Sequence, residues 1–146
     1  MGLLLDKGAL IGAIDNDSNT PLQLAVRSSY TGIVGPLLDK GASIEAIDND
    51  GNTLLQFAVR SGYTGIAGLL LDKDAPNRAT DNDGNTLLHL AARRGDTSMV
   101  RLLRNRGALI GVQNKVNQSP YQLAAASGHY LGYGSSAWKV FSQAYY

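Results

Sequence analysis

An eleven-residue phrase recurs along the chain at a constant interval of 33 residues: DNDSNTPLQLA begins at Asp15, DNDGNTLLQFA at Asp48 and DNDGNTLLHLA at Asp81. A weaker fourth copy, NKVNQSPYQLA, begins at Asn114 after the same interval. A strict period of this length is typical of repeat proteins, in which each unit is one supersecondary element that packs against its neighbours. The phrase therefore predicts a repeat architecture.

The first half of one unit is predicted to be a turn followed by a short helix. The letters DNDG at 81–84 supply turn chemistry, because Asp and Asn bond their own backbone and Gly takes a positive φ at little cost. Thr86 is a suitable N-cap for a helix over 87–94, whose leucines and alanines form the packed side. Gly95 is expected to end that helix.

The second half of the unit repeats this plan. Thr97 is expected to cap a second helix, in which apolar residues recur at helical spacing, and Gly107 is expected to close it. An extended stretch over 108–113 then leads to the next turn. Each unit is therefore predicted to contain a turn, two helices and a connecting loop.

This unit resembles an ankyrin repeat. The family pattern places Asp, Gly and Thr before a Pro-Leu-His tripeptide, followed by paired alanines, a glycine, a leucine-rich second helix and Gly-Ala. The chain has TPLQ at 20–23, TLLQ at 53–56, TLLH at 86–89 and SPYQ at 119–122. The resemblance covers roughly residues 1–129. It implies an all-α repeat solenoid whose β-turn or hairpin fingers project from the helices, and a protein-binding scaffold without catalytic activity or cofactor.

We expect one repeat domain over the 146 residues. A half repeat over 1–14 precedes full repeats at 15–47, 48–80 and 81–113 and a shorter repeat at 114–129. MGLLLDK at the start is in register with AGLLLDK at 67–73, so the chain begins halfway through a repeat, which suggests either a fragment or an unusually early start codon. Residues 130–146 leave the pattern and hold six of the ten aromatic residues; we predict a divergent cap, or alternatively an aromatic anchor for a partner.

Composition excludes several classes of function. The chain has no cysteine, so disulfides, thiolate metal sites and a cysteine nucleophile are absent. The net charge of +1 is too small for a nucleic-acid-binding domain, and there is no apolar run long enough to predict a membrane span. We expect an intracellular protein, cytoplasmic or nuclear, that binds neither nucleic acid nor membrane.

Three departures from the family pattern predict local weakness. Glycines at 32, 35, 65 and 68 fall in or beside the second helices, where glycine costs about 0.5–1 kcal/mol relative to alanine. Pro36 either interrupts its helix, at roughly 3 kcal/mol, or lies in the first turn of a helix that begins late. Asp74 replaces the helix-ending glycine of the other repeats, so its turn is expected to be strained or altered.

The sequence contains no convincing catalytic or metal-binding motif. DNDGN at 48–52 and 81–85 resembles the start of an EF-hand loop, but the sixth position is Thr and the twelfth is Val59 or Ala92, where that loop needs Gly and Glu. His89 and His129 are the only histidines, and both fall where the family pattern carries histidine for hydrogen bonding in turns and loops. No catalytic, metal-binding or cofactor-binding residue is predicted.

Two sets of side chains that recur in each repeat are the candidates for partner binding. One set consists of Asn and Asp residues in the fingers, and the other, called the arginine row, consists of arginines that follow the paired small residues of each first helix. An acidic residue at every third position of an extended peptide would match the arginine row, or at every seventh position of a partner helix. Alternatively, each arginine pairs with a nearby finger aspartate or with solvent. The finger candidates are Asn16, Asp17, Asn19, Asn49, Asp50, Asn52, Asn82, Asp83 and Asn85, and the helix candidates are Arg27, Arg60, Arg93 and Arg94.

The partner predicted from this pattern is another protein or peptide of unknown identity. Leu3, Leu4 and Leu5 lack a preceding helix, so the N-terminal end is a candidate surface for self-association, as is the aromatic tail. A structural spacer in a longer array is the main alternative, because the finger positions hardly vary between repeats. A regulatory part of a larger multidomain protein is the third reading.

Overall fold

The computed structural model describes residues 14–16 and 19–128. Seven α-helices lie in this part of the chain, and no strand longer than a single bridge occurs within it. The helices are α1 Pro21–Arg27, α2 Thr31–Asp39, α3 Leu54–Ser61, α4 Thr64–Asp72, α5 Leu87–Arg94, α6 Thr97–Asn105 and α7 Pro120–Ala126. They form the helix pairs of three repeats and the first helix of a fourth, as the sequence period predicts.

A reciprocal cap begins every first helix. The Oγ1 of Thr20 accepts from the backbone N–H of Gln23, whose side-chain oxygen accepts from the N–H of Thr20 at 2.7 Å. The same exchange joins Thr53 to Gln56, Thr86 to His89 and Ser119 to Gln122. Two otherwise unpaired backbone donors are satisfied in each cap, which fixes where the helix begins.

The helix ends agree with the prediction in the repeat over 81–113, with one correction. Helix α5 begins after Thr86 and ends at Gly95, whose φ of 72° is left-handed. Helix α6 begins at Thr97, but its cap is Asp96 and not Thr97, since the Asp96 carboxylate accepts from the N–H of Met99. Asp96 is also favourable at the positive end of the helix dipole.

Helix α2 keeps its proline inside. It runs from Thr31 to Asp39 with Pro36 in its sixth position, so the reading in which the helix begins late is wrong. Tyr30 stands at the N-cap and makes no side-chain capping bond. The helix is maintained by apolar packing, because Val34 and Leu37 on either side of the proline are buried.

Asp74 has a φ of +60°, where Gly41 and Gly107 have φ values of +92° and +91° at the corresponding positions. The strained turn expected there is thus present. Ser29, at φ +58°, takes the place that Gly62 and Gly95 occupy in other repeats. These non-glycine residues carry a conformational cost that glycine would avoid.

The chain divides into two compact units. One contains the described residues up to Ala58 together with Gly65–Pro76, and α1 packs on α2 within it. The other contains Val59–Thr64 and the described residues from Asn77 to Gly128. In this second unit α5 packs both on α6 of its own repeat and on α7, the first helix of the next repeat.

Candidate protein-binding surface

Each repeat contributes a five-residue turn, called here a finger: residues 15–19, 48–52, 81–85 and 114–118. In every finger the backbone N–H of the first residue donates to the carbonyl of the fifth, at 2.9–3.0 Å. The side chain of the first residue then accepts from the N–H of the fifth at 2.9 Å in all four. The four fingers are therefore closed by hydrogen bonds at their base.

The first residue of a finger has its side chain committed to the turn. One carboxylate oxygen of Asp81 accepts from the backbone of Asp83 and Asn85, and the other accepts from the Asn85 amide at 3.1 Å. Partial burial raises the pKa of Asp81, but these hydrogen bonds and the nearby Arg60 outweigh it and hold that pKa below 3.8. The carboxylate is thus ionised and structural.

The tips of the fingers are exposed. Asn16, Asn49, Asp50, Asn82 and Asp83 all have exposed side chains. The side chains of these predicted binding residues face solvent, and it is the side chain of the first residue of each finger that orders the turn. Asp17, which was predicted with them, lies outside the described residues.

The fifth residue of each finger has a structural role instead. Asn85 is only 3% exposed, and its side-chain oxygen accepts from the amide of Asn114 at 2.9 Å. Asn19 is 8% exposed and accepts from Arg27, while Asn52 is partly buried and donates to Asp48. Since their polar atoms are used within the protein, these three are the weakest of the candidate contact residues.

The arginines of the arginine row differ in their surroundings. Arg27 donates from Nη1 to the side-chain oxygen of Asn19 at 3.3 Å, and its guanidinium carbon lies 6.0 Å from the centre of the Phe57 ring. This places the cation at the edge of cation–π range. Arg27 is therefore oriented by its own repeat and its neighbour and is not a loose surface charge.

The other arginines of the row belong to the second unit. Nη2 of Arg60 lies 3.1 Å from Oδ2 of Asp81, so this arginine forms an ion pair with a finger aspartate. Such pairing was one of the two alternatives that the sequence left open. Arg94 donates from Nη1 to the Arg60 carbonyl at 3.4 Å and lies against Gly62, where an added Cβ would be 2.7 Å from its Nε. Arg93 is exposed.

A cleft of about 470 Å³ opens between the first two fingers, in the first unit. Helix α1 contributes Gln23, Leu24 and Arg27 to its lining, and its apolar part consists of Leu24 and Ile47, which are 38% and 59% exposed. Sequence reasoning missed both, since an aliphatic residue at these positions gives no signal until its exposure is known. The cleft is lined by Asp15, Asn19, Gln23, Leu24, Arg27, Ile47, Asp48, Asn49 and Asp50.

The fourth finger presents different chemistry at its tip. Val116 is 70% exposed where the second and third fingers carry Asp50 and Asp83. Lys115 precedes it, and its backbone N–H donates to the Asp83 carbonyl at 2.9 Å. Within the second unit the third and fourth fingers are thus bonded through their backbones.

His89 serves the hydrogen-bonding role expected of it. Its Nδ1 accepts from the backbone N–H of Thr86 at 3.1 Å, and its Nε2 lies 2.8 Å from the carbonyl oxygen of Gln118. Burial lowers the pKa of His89 below 6.5, against the opposing effects of the Gln118 bond and of the Asp81 charge. His129 lies outside the described residues.

Within residues 14–16 and 19–128, no three His, Cys, Asp or Glu residues are grouped closely enough to hold a metal ion. None of the helices in that part of the chain has the length and apolar character needed to cross a bilayer. The half repeat with Leu3, Leu4 and Leu5 and the aromatic segment 130–146 lie outside the described residues, so the self-association surfaces predicted there stay predictions.

Comparison with protein families agrees with this geometry. A family model described as ankyrin repeats in three copies matches residues 1–81. A second model, described as ankyrin repeats in many copies, matches residues 70–124. A search of curated proteins found no match.

Proposed function

Because this chain belongs to the ankyrin repeat family, whose members are generally protein–protein interaction modules, we propose that it is a non-catalytic scaffold. It binds a partner protein or peptide through the fingertips and the exposed side of the first helices. The repeats form one binding domain, and the protein acts inside the cell, as is usual for this family. The partner-facing residues proposed are the exposed ones, above all Asn49, Asp50, Asn82 and Asp83.

One observation supports this choice of surface more than any other. In the second and third fingers the side chain of the first residue accepts from the backbone of the turn, while the side chains of Asn49 and Asp50, or of Asn82 and Asp83, are exposed. Side chains presented by a pre-ordered backbone lose less entropy when they bind. The fingertips are thus suited to contact a partner at low cost.

Site-specific photocrosslinking tests the proposed surface. Benzophenone-bearing residues would replace Asn49 and Asn82 at the fingertips, and Ser98, which is exposed on helix α6, would carry the same group as a control. The protein would be irradiated in the cells that produce it, and adducts identified by mass spectrometry. We expect one discrete adduct from positions 49 and 82 that is missing from position 98. Adducts of equal yield at all three positions, or none at the fingertips, would overturn the proposal.

A structural spacer within a longer array is the second candidate. It is favoured by the identity of the tips, since Asn49-Asp50 and Asn82-Asp83 have the same letters and the same turn hydrogen bonds. A surface fitted to an irregular partner would differ from repeat to repeat. The crosslinking result separates the two, because a spacer gives no discrete adduct from the fingertips.

A further inference from the structure

The cleft between the first two fingers combines an exposed aliphatic wall with a negative rim. Leu24 and Ile47 form the wall, and Asp15, Asp48 and Asp50 contribute carboxylates against the single guanidinium of Arg27. The cleft therefore carries a net negative charge, and none of its lining residues is a lysine.

Arg27 does not make this cleft a receptor for acidic residues. Its guanidinium is held by the Asn19 oxygen at 3.3 Å and lies over the Phe57 ring at 6.0 Å. A carboxylate that approached the remaining N–H groups of Arg27 would be repelled by the carboxylates of the rim. The acidic peptide that the arginine row alone predicts is thus disfavoured in this unit.

The rim contains one exposed carboxylate that the finger does not use. Asp48 accepts from the backbone N–H groups of Asp50 and Asn52, both at 2.9 Å, so its carboxylate is engaged by the turn. Asp50 takes part in that turn through its backbone N–H and not through its carboxylate. Its side chain is exposed at the tip of the finger, on the same cleft as Ile47.

A long basic side chain complements both features at once. The methylene stem of Lys or Arg can cover aliphatic surface while its charged head remains at a polar rim. Burial of apolar area contributes roughly 25 cal/mol per Å², and the charge adds attraction that salt screens. An acidic segment would be repelled at the rim, and a purely polar segment would gain no apolar burial.

We infer that this cleft receives a partner segment in which a lysine or arginine adjoins an aliphatic residue, with the basic side chain lying over Ile47 and its charge at Asp50. The inference rests on the proposed scaffold function and specifies the chemistry of the partner. It replaces the expected acidic partner with a basic one for the first unit.

Binding of defined peptides tests this directly. The probes are two fluorescein-labelled peptides of equal length, one alternating Leu and Lys and one alternating Leu and Glu, measured by fluorescence anisotropy on the full chain. We expect the Lys peptide to bind at least tenfold more tightly than the Glu peptide, and half-molar salt to weaken it at least fivefold. Equal affinity of the two peptides would overturn the inference.

Matched variants assign the binding to the cleft. Asp50→Asn removes the rim charge, and Ile47→Thr installs the residue that Thr80 supplies one repeat later. Glu45→Gln removes the same charge from an exposed residue of the first unit outside the cleft. We expect at least a fivefold loss of Lys-peptide affinity for each of the first two and less than a twofold loss for Glu45→Gln, with circular dichroism unchanged in all three.

The outcomes are distinguishable from failure of the scaffold function. If Glu45→Gln weakens binding as much as Asp50→Asn, the peptide senses overall charge and the inference fails. If Asn49 crosslinks to a partner while the Lys peptide does not bind, only the partner chemistry is wrong. If neither experiment is positive, the scaffold function fails as well.

Discussion

His89 connects its own helix cap to the finger of the following repeat. Its Nδ1 accepts from the backbone N–H of Thr86, so in the neutral ring the proton lies on Nε2, which donates to the carbonyl oxygen of Gln118 at 2.8 Å. The corresponding residue in the first repeat, Gln23, makes the same bond to its cap residue, Thr20, but its side-chain amide donates to the carbonyl of Ile47, the residue before the second finger. Histidine, unlike glutamine, also titrates near neutral pH.

Acidification should therefore weaken the fold through His89. Burial lowers its pKa in the folded state below 6.5, so the unfolded chain binds the proton more tightly. The contribution of the neutral ring is complete above pH 6.5 and is lost as the pH falls through the lower, folded-state pKa. We expect the free energy of unfolding in urea to fall between pH 7.5 and 5.5, a range above the titration of Asp81, and His89→Gln to remove most of that fall. An equal decline in wild type and variant would assign the effect to other groups.

Replacing Pro36 should stabilise the protein. Proline within helix α2 removes a hydrogen bond to the carbonyl of Gly32 and crowds it, and Leu69 occupies the corresponding position in helix α4. Since Pro36 is exposed, Pro36→Leu adds no buried volume. We expect a gain of about 2 kcal/mol in the free energy of unfolding, after allowing for the greater freedom of the unfolded chain. The reciprocal Leu69→Pro should lose a similar amount, and a Pro36→Leu variant no more stable than wild type would contradict the interpretation.

Helix α2 should also open more readily than the other second helices. It has an interior proline, two glycines and no side-chain N-cap, whereas Asp96 caps helix α6. Local opening exposes amides before the whole domain unfolds. Hydrogen exchange followed by mass spectrometry should show the repeat over 15–47 exchanging fastest among the three full repeats. Uniform protection across the three would count against it.

The sequence predicted those parts of the fold that depend on neighbouring residues. The bounds of helix α5, its Thr86 cap and its left-handed Gly95 follow from local chemistry within ten residues. The strain at Asp74 was likewise visible, because three glycines occupy its place elsewhere. Because the same local pattern recurs every 33 residues, each local inference applies to several repeats, and the fold could be predicted from the sequence.

The binding surface was less predictable because burial is decided by residues far apart in sequence. Nothing in the sequence around Asn85 shows that this polar finger residue is buried. It is buried because Asn114, 29 residues later, packs on it and donates to its side-chain oxygen. The position of Pro36 was ambiguous for the same reason, since the packing of Val34 and Leu37 and not helix propensity decided it. Exposure of Leu24 and Ile47 could be known only once the first two fingers were placed.

Glycine at position 74 should relieve the strained turn. Asp74 is exposed at φ +60°, and Gly41 and Gly107 hold the corresponding places. Asp74→Gly exchanges conformational strain of about 1 kcal/mol for a smaller entropic cost, so we expect a net gain of about 0.5 kcal/mol. Gly41→Asp, which meets no atom within 4 Å of its new Cβ, should lose a comparable amount. Thermal unfolding of both variants beside wild type would reveal whether the signs are opposite.

Replacing Asp81 should destabilise the protein more than replacing Arg60, although the two side chains form one ion pair. The Arg60 side chain is 39% exposed and contributes one contact at 3.1 Å, so Arg60→Ala should cost less than about 1 kcal/mol. Asp81 also accepts from two backbone N–H groups and the Asn85 amide, so Asp81→Ala leaves several donors unpaired and should cost about 2 kcal/mol. A double-mutant cycle in urea isolates the coupling, which we expect to stay below about 0.5 kcal/mol and to shrink in salt. A coupling as large as the Asp81→Ala loss would mean that the arginine, and not the turn, holds the aspartate, and Arg60 would then be unavailable to a partner.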